Sequence, residues 1–167
     1  MLLDDGGGPG LRAANGHDWR CVTDGVMGGV SDAVLVREEV AGRRALHLTG
    51  DVRLENNGGF VQMSLDLAAR GALLDASHYA GLALTVRGNG QDYNIHLRSP
   101  DMARVWQSWR ATFHAPAEWR EVHLRFAEFT PYRTELPVDP ARLSRIGLVA
   151  IGQAMRADLA LARLAFV

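Results

Sequence analysis

Three predicted strands carry polar side chains of the kinds that bind ligands. In residues 93–98, Asn94, His96 and Arg98 alternate with apolar residues and therefore share one face. Amide and guanidinium groups bond hydroxyls or carboxylates, and an indole ring stacks on flat or apolar surfaces. If the three strands are neighbours, they present a face that suits a sugar or a peptide. The candidate binding residues are Arg87, Asn94, His96, Arg98, Trp106 and Arg110.

The same alternation has a second interpretation. Antiparallel sheets commonly have one solvated face, on which polar residues alternate without binding anything. Residues 82–87 and 93–98 flank Gly88-Asn89-Gly90-Gln91-Asp92, a hairpin signal that predicts pairing of the two strands. The sequence thus predicts a polar sheet face and leaves open whether that face is a binding site or ordinary surface.

The residue pattern indicates no catalytic centre. The six histidines lack close metal-ligand spacing, and Ser31 lacks the pattern of a nucleophile elbow. A carboxylate pair of Asp24 with Glu55 is one alternative, but a turn capped by Asp24 explains that residue more simply. We therefore expect a non-catalytic domain with no metal and no cofactor. A Ca²⁺ or an anion held by backbone groups of the glycine-rich loops is a minor alternative.

Charge and composition indicate which classes of partner and which cellular compartment to expect. The net charge of -1 gives no general attraction to phosphate, so we expect no nucleic-acid binding. No apolar run approaches the length of a membrane span. A single cysteine, Cys21, suits a reducing compartment, and the N-terminus lacks the basic start and apolar core of a signal peptide. The expected location is therefore the cytoplasm.

The pattern of elements predicts an all-β fold with little helix. A chain of 167 residues fits one domain, which we place at residues 17–167 after a flexible, glycine-containing lead-in at residues 1–16. Short strands separated by turn residues are typical of a β-sandwich or jelly roll. The predicted strand segments are 34–36, 45–49, 60–67, 82–87, 93–98, 105–113, 121–126, 145–151 and 159–167.

Two glycine-rich loops interrupt the predicted strands, at residues 24–31 and 55–60. Glycine is used where the backbone takes positive φ or passes close to another group, and Asn tolerates the left-handed region. We therefore expect the loops to be structural corners of the β-fold rather than direct binding elements. Their motif residues are Asp24, Gly25, Met27, Gly28, Gly29, Ser31, Glu55, Asn56, Asn57, Gly58, Gly59 and Phe60.

In these loops and in the segments that follow them, the chain resembles the complex I intermediate-associated protein 30 family. The resemblance covers about residues 18–166, and the two loop motifs, in this order and at this spacing, are its most specific part. The chain departs from the family pattern at Asn89, where the family often has Asp, and after Arg133. The matching residues are Trp19, Asp24-Gly25-Val26-Met27-Gly28-Gly29-Val30-Ser31, Glu55-Asn56-Asn57-Gly58-Gly59-Phe60, Tyr79-Ala80-Gly81-Leu82, Val86-Arg87-Gly88-Asn89-Gly90, Tyr93, Leu97-Arg98, Trp119, Val122, Leu124, Phe126 and Phe129-Thr130-Pro131.

The resemblance implies both a fold and a role. The fold would be a galactose-binding-like jelly-roll β-sandwich related to carbohydrate-binding modules. Mitochondrial members assist assembly of respiratory complex I, which implies a chaperone-like assembly factor whose partner is a protein, such as a subunit of a respiratory or other membrane complex. The alternative that the fold implies is a carbohydrate-binding module that uses the polar sheet face.

Overall fold

A computed structural model describes all 167 residues and contains twelve β-strands. The only helical segments are short 3₁₀ turns at Asp24–Met27, Glu55–Asn57 and Phe126–Glu128, so the expectation of an all-β fold with little helix is confirmed. The strands are β1 (Leu2–Asp4), β2 (Arg20–Thr23), β3 (Asp32–Val40), β4 (Arg43–Val52), β5 (Phe60–Asp66), β6 (Gly81–Arg87), β7 (Gln91–Arg98), β8 (Ser108–Ala115), β9 (Arg120–Arg125), β10 (Thr130–Tyr132), β11 (Arg145–Ile151) and β12 (Met155–Phe166).

The strands form two six-stranded antiparallel sheets. The first sheet has the order β3-β4-β12-β6-β9, and β1 also pairs with β12. The second sheet has the order β10-β8-β7-β11-β5-β2. Most connections pass from one sheet to the other, which is the arrangement of a jelly-roll sandwich. This topology brings the late strand β11 between β5 and β7, and so next to β7, which carries Asn94, His96 and Arg98 of the predicted polar face.

The hydrophobic core lies between the two sheets. Alternation along each strand sends one set of side chains into it, and 35 buried residues form a single cluster. In β7, Tyr93, Ile95 and Leu97 are fully buried, whereas the residues between them point to the other face of the second sheet. The core thus fixes the orientation of the polar face, because a one-residue slip in register would bury it.

Contrary to the expectation of a flexible lead-in at residues 1–16, the N-terminal segment packs on the sandwich. Residues Leu2–Asp4 form a strand on β12, and Leu3 is 1% exposed. Asp4 is buried and accepts hydrogen bonds from Trp19 Nε1 at 2.8 Å and from Arg37 Nη2 at 3.0 Å. The glycines at positions 6–8 suggested mobility, but the apolar residues and the carboxylate before them dock this segment onto the sandwich.

The turn at Gly88-Asn89-Gly90 is also different from the prediction, since it is not a hairpin. β6 lies in the first sheet and β7 in the second, so the turn carries the chain across the sandwich. Asn89 Nδ2 donates to the carbonyl of Arg156 at 2.8 Å, and the Tyr93 hydroxyl donates to Asn89 Oδ1 at 2.7 Å. These bonds hold the turn where the chain crosses between the sheets. As a result, Arg87 and the residues of β7 lie in different sheets.

Candidate functional site

The outer face of the second sheet forms a cleft of about 510 Å³. Strands β5, β7, β8 and β11 form its floor. One side is lined by the glycine-rich loops, through residues 26–27 and 57–60, and the other by residues 105–107 and 132–133. The site is therefore built by strands distant in sequence, which only the sandwich topology brings together.

Arg98 shapes one wall of the cleft. Its Nη1 atom donates hydrogen bonds to the carbonyls of Arg104, Val105 and Gln107, at 2.9, 3.2 and 2.6 Å. Burial, together with the nearby charge of Arg145, lowers the pKa of Arg98 from its usual value. Arg98 thus holds the loop on which Trp106 projects, and Trp106 remains 48% exposed.

Arg110 lies against an aromatic ring inside the cleft. Its guanidinium carbon is 3.5 Å from the centroid of the Tyr132 ring, and its Nε donates to Ser108 Oγ at 2.8 Å. The Arg133 guanidinium is 5.3 Å from the same ring. Burial lowers the pKa of Arg110, but an arginine stays protonated in proteins. Its remaining N–H groups are donors available to a ligand.

His96 lies opposite Arg110 in the β7–β8 register and lines the cleft floor. Its Nε2 atom is buried and has no hydrogen-bond partner. Burial, assisted by the positive charge of Arg110, lowers the pKa of His96 to about 3. The imidazole is consequently neutral at physiological pH, and it adds no charge beside the arginines.

The cleft is cationic and contains no carboxylate. Arg98, Arg110, Arg133 and Arg145 line it, and no Asp or Glu does. Arg145 is paired with Asp66 at 3.0 Å, at the margin of the cleft. Neither Arg98 nor Arg110 has a carboxylate partner. This local excess of positive charge occurs in a chain whose net charge is only -1.

A single buried carboxylate joins the two glycine-rich loops. Asp24 accepts hydrogen bonds from the Ser31 amide (3.0 Å) and hydroxyl (2.5 Å), and from the amides of Gly59 (2.5 Å) and Phe60 (3.2 Å). Burial alone would raise the pKa of Asp24, but these bonds outweigh it and lower the pKa. The carboxylate pair of Asp24 with Glu55 does not form, because Glu55 pairs with Arg53 at 2.8 Å.

Two glycines of these loops, Gly29 and Gly58, are explained by the same carboxylate. A Cβ atom at Gly29 would lie 2.4 Å from Asp24 Cγ, and one at Gly58 would lie 2.6 Å from Asp24 Oδ2. Asn56 provides a second link between the two loops, because its Nδ2 donates to the carbonyl of Gly28 at 3.2 Å. The loops form corners of the sandwich, and they also line the cleft through Met27, Asn57, Gly58, Gly59 and Phe60.

The predicted site residues do not all lie together. His96, Arg98, Trp106 and Arg110 line one cleft. Asn94 is on the same face but outside the lining, where its Oδ1 accepts a bond from the Thr112 hydroxyl at 3.1 Å.

Arg87 does not lie with the other candidates, because β6 belongs to the other sheet. Sequence reasoning missed the cleft residues Gln62, Tyr132, Arg133 and Arg145. Alternation on β5 and β11 could have indicated the first and last of these, but the short strand β10 has no periodic signal.

No group of three or more His, Cys, Asp or Glu side chains converges as metal ligands would. None of the helical turns has the length or the apolar character needed to cross a membrane.

Known structures define the class of fold. The chain is similar to a family 11 carbohydrate-binding module from Clostridium thermocellum solved with a β-1,3-1,4-mixed-linked tetrasaccharide (TM-score 0.77, 11% identity, 99% of this chain and 94% of that chain). It is also similar to a family 30 carbohydrate-binding module of a cellulosomal cellulase from Clostridium thermocellum (TM-score 0.66, 14% identity, 99% and 98%). The chain therefore has the β-sandwich fold of these modules.

Sequence comparison then identifies the family. Residues 12–161 match the complex I intermediate-associated protein 30 family, and the chain belongs to that family. The comparison with curated proteins found no significant match. The resemblance inferred from the two loop motifs is thus confirmed over most of the chain.

Proposed function

We propose that this chain is a non-catalytic binding domain that holds a partner protein in the cleft of the second sheet. The observation that carries the proposal is the combination of an exposed Trp106 with the half-buried Arg110, which has no carboxylate partner. Trp and Arg are the residue types that most often dominate binding energy at protein interfaces. The cleft provides the concave surface in which such residues can be desolvated by a partner.

The family supports a more specific role for this binding. Its description names an association with intermediates of complex I. We accordingly propose that the partner is an incompletely assembled subunit or intermediate of a respiratory or other membrane complex. The domain would act as a chaperone-like assembly factor, in the cytoplasm, and would leave once assembly is finished.

Capture of partners from the native host tests this role. Tagged wild-type protein is compared with Trp106→Ala and with the control Arg87→Gln, whose substitution lies on the opposite sheet. We expect intermediates of one membrane complex to be recovered with the wild type and with Arg87→Gln, and to be depleted with Trp106→Ala. Equal recovery with all three proteins would contradict binding in the cleft.

Carbohydrate binding is the second candidate function. The rings of Trp106 and Tyr132 could stack on a sugar, and Gln62 could bond its hydroxyls; all three residues line the cleft. A thermal-shift screen against neutral oligosaccharides, with and without Ca²⁺, tests this alternative. A sugar present at about 100 times its Kd would raise Tm by roughly 5–10 °C. A shift that disappears in Trp106→Ala would favour the sugar over the protein partner.

A further inference from the structure

Two arginines of the cleft, Arg98 and Arg110, are partly buried and have no negatively charged partner. Burial disfavours an ion unless it is paired or hydrogen-bonded, and it lowers the pKa of both Arg98 and Arg110. Backbone carbonyls satisfy part of Arg98, whereas Arg110 has only the Ser108 hydroxyl and the Tyr132 side chain, both of them neutral groups. No carboxylate lines the cleft, although the whole chain contains 19 acidic residues. An anion in the cleft would supply the missing partner.

The hydrogen-bond donors that line the cleft indicate which kind of ligand would bind there. A guanidinium group only donates hydrogen bonds, whereas a neutral sugar hydroxyl both donates and accepts. A cleft lined by four arginines therefore suits a ligand that mainly accepts, and carboxylates accept from a guanidinium in a bidentate geometry. The ring of Tyr132, which packs on the Arg110 guanidinium, holds that donor in place.

The rims of the cleft favour a peptide over a saccharide. Val26 and Met27 are 75% and 50% exposed on one side, and Val105 is 77% exposed on the other, beside Trp106. Branched and flexible aliphatic side chains give no flat surface on which a sugar ring can stack. They do match the apolar side chains of a polypeptide, and Met, Trp and Arg, which all line this cleft, are enriched at protein interfaces.

We propose that the cleft binds an acidic segment of a partner protein, with a carboxylate at Arg110 and apolar side chains on the two rims. This inference rests on the proposed function, because it names the chemistry of the partner at that same site. The segment would have Asp or Glu flanked by apolar residues. Its binding would weaken with added salt, because salt screens the charge attraction.

A random-peptide display selection on the full chain tests the inference without knowledge of the partner. We expect enrichment of peptides in which Asp or Glu is flanked by apolar residues. The best peptide is then synthesised, together with a copy in which its acidic residues are replaced by their amides. Binding of both to wild type, Arg110→Gln, Arg110→Lys and the control Arg87→Gln is measured by calorimetry at two salt concentrations.

The expected result is a pattern across these proteins. Arg110→Gln should weaken the acidic peptide by about 10- to 100-fold, and the amide peptide should lose a similar factor on the wild type. Arg110→Lys, which retains the charge but not the planar fork, should be intermediate. Arg87→Gln should bind like the wild type. A Tm close to that of the wild type shows that each variant is folded.

Other outcomes would overturn the inference in distinguishable ways. Enrichment of neutral apolar peptides that need Trp106 but not Arg110 would overturn the acidic partner and leave the proposed protein-binding function standing. Absence of any enriched peptide, with binding of an oligogalacturonate, would place a uronic-acid sugar in the cleft and overturn both. Absence of binding by peptide and oligogalacturonate alike would overturn this inference, while the capture experiment with Trp106→Ala would still decide the proposed function.

Discussion

The contacts of Asp24 show how one side chain explains several residues of a sequence motif. Its carboxylate binds the backbone of residues 35 and 36 positions away, at Gly59 and Phe60, and also both polar groups of Ser31. The glycines at positions 29 and 58 leave room for that carboxylate. The motif is thus a structural joint, and it matters to the cleft because the joined loops form one of its walls.

Replacing Asp24 with Asn should destabilise the fold. We expect Asp24→Asn to lower the free energy of unfolding by about 2–3 kcal/mol, since hydrogen bonds to a charged group are lost and an amide N–H faces amide donors. Urea denaturation at pH 7 measures the loss. Glu55→Gln, at an exposed carboxylate in the adjoining loop, is the matched control and should change stability by less than about 0.5 kcal/mol.

The same substitution gives a pH dependence with a defined sign. Because the pKa of Asp24 is lowered in the folded state, its contribution is complete above the pKa of the unfolded chain and is lost as pH falls through the folded pKa. The stability difference between wild type and Asp24→Asn should therefore shrink as the pH is lowered from 5 towards 2. A difference that is constant over this range would contradict the role of the ionised carboxylate.

His96 should make the protein less stable in mild acid. Its folded pKa of about 3 lies below the ordinary value of 6.5, so the unfolded chain takes up a proton first as pH falls. Its contribution is complete above pH 6.5 and declines below it, by about 1.4 kcal/mol per pH unit. Between pH 7.5 and 5.5, wild type should lose about 1.4 kcal/mol more than His96→Gln in urea denaturation. Equal losses would show that His96 is protonated in the folded state.

At the scale of elements, loops and short 3₁₀ turns make most of the two walls of the cleft. The Arg98 guanidinium from β7 bonds three carbonyls of the loop at residues 104–107, and Asp24 holds the opposite loops. These loops thus depend on charged side chains, whereas Tyr132 is held in the wall by the pairing of β10 with β8. Such segments open more readily than the core strands, because few buried apolar contacts hold them.

Removing the Arg98 side chain should therefore loosen one loop selectively. We expect Arg98→Ala to accelerate amide hydrogen exchange in residues 104–107, because three carbonyls of that loop lose their donor. Exchange in β7 and β11 should stay close to that of the wild type. Arg163→Ala, on the first sheet, is the control. Unchanged exchange at residues 104–107 would show that Arg98 does not hold the loop.

At the scale of the whole molecule, the first strand ties the N-terminus to the sandwich. β1 pairs with β12, and Asp4 forms a buried ion pair with Arg37 of β3 while it also accepts from Trp19. The Asp4 carboxylate thereby links β1, which pairs with the central strand β12, to the edge strand β3. This segment lies in the sheet that does not carry the cleft, so its contribution is to stability.

Loss of the Asp4 carboxylate should therefore lower stability without altering the cleft. Asp4→Ala leaves the Arg37 guanidinium buried and unpaired, and such a change costs about 3–5 kcal/mol. Asp5→Ala, at the exposed neighbouring carboxylate, should cost less than about 0.5 kcal/mol. Chemical denaturation compares the two variants. A similar loss in both would contradict the anchoring of the N-terminus by Asp4.

The sequence by itself determined the fold class and the family. Alternation such as that of Val61, Met63 and Leu65 is a local property, because side chains switch faces at every residue of a strand. The loop motifs were equally visible, since their glycines and Asp24 stand in the sequence whatever their contacts. Local pattern also identified four of the cleft residues, because three alternate on single strands and Trp106 continues one of them.

Only the tertiary structure decided which strands share a sheet. The Gly88-Asn89-Gly90 turn is compatible with a hairpin and with a crossing between sheets, and long-range bonds from Asn89 and Tyr93 select the crossing. That choice removes Arg87 from the site. It also places Arg145 beside Arg98, from segments 47 positions apart, a pairing that no local periodicity can specify. The cationic cleft is therefore a product of sheet order, which depends on contacts between distant residues.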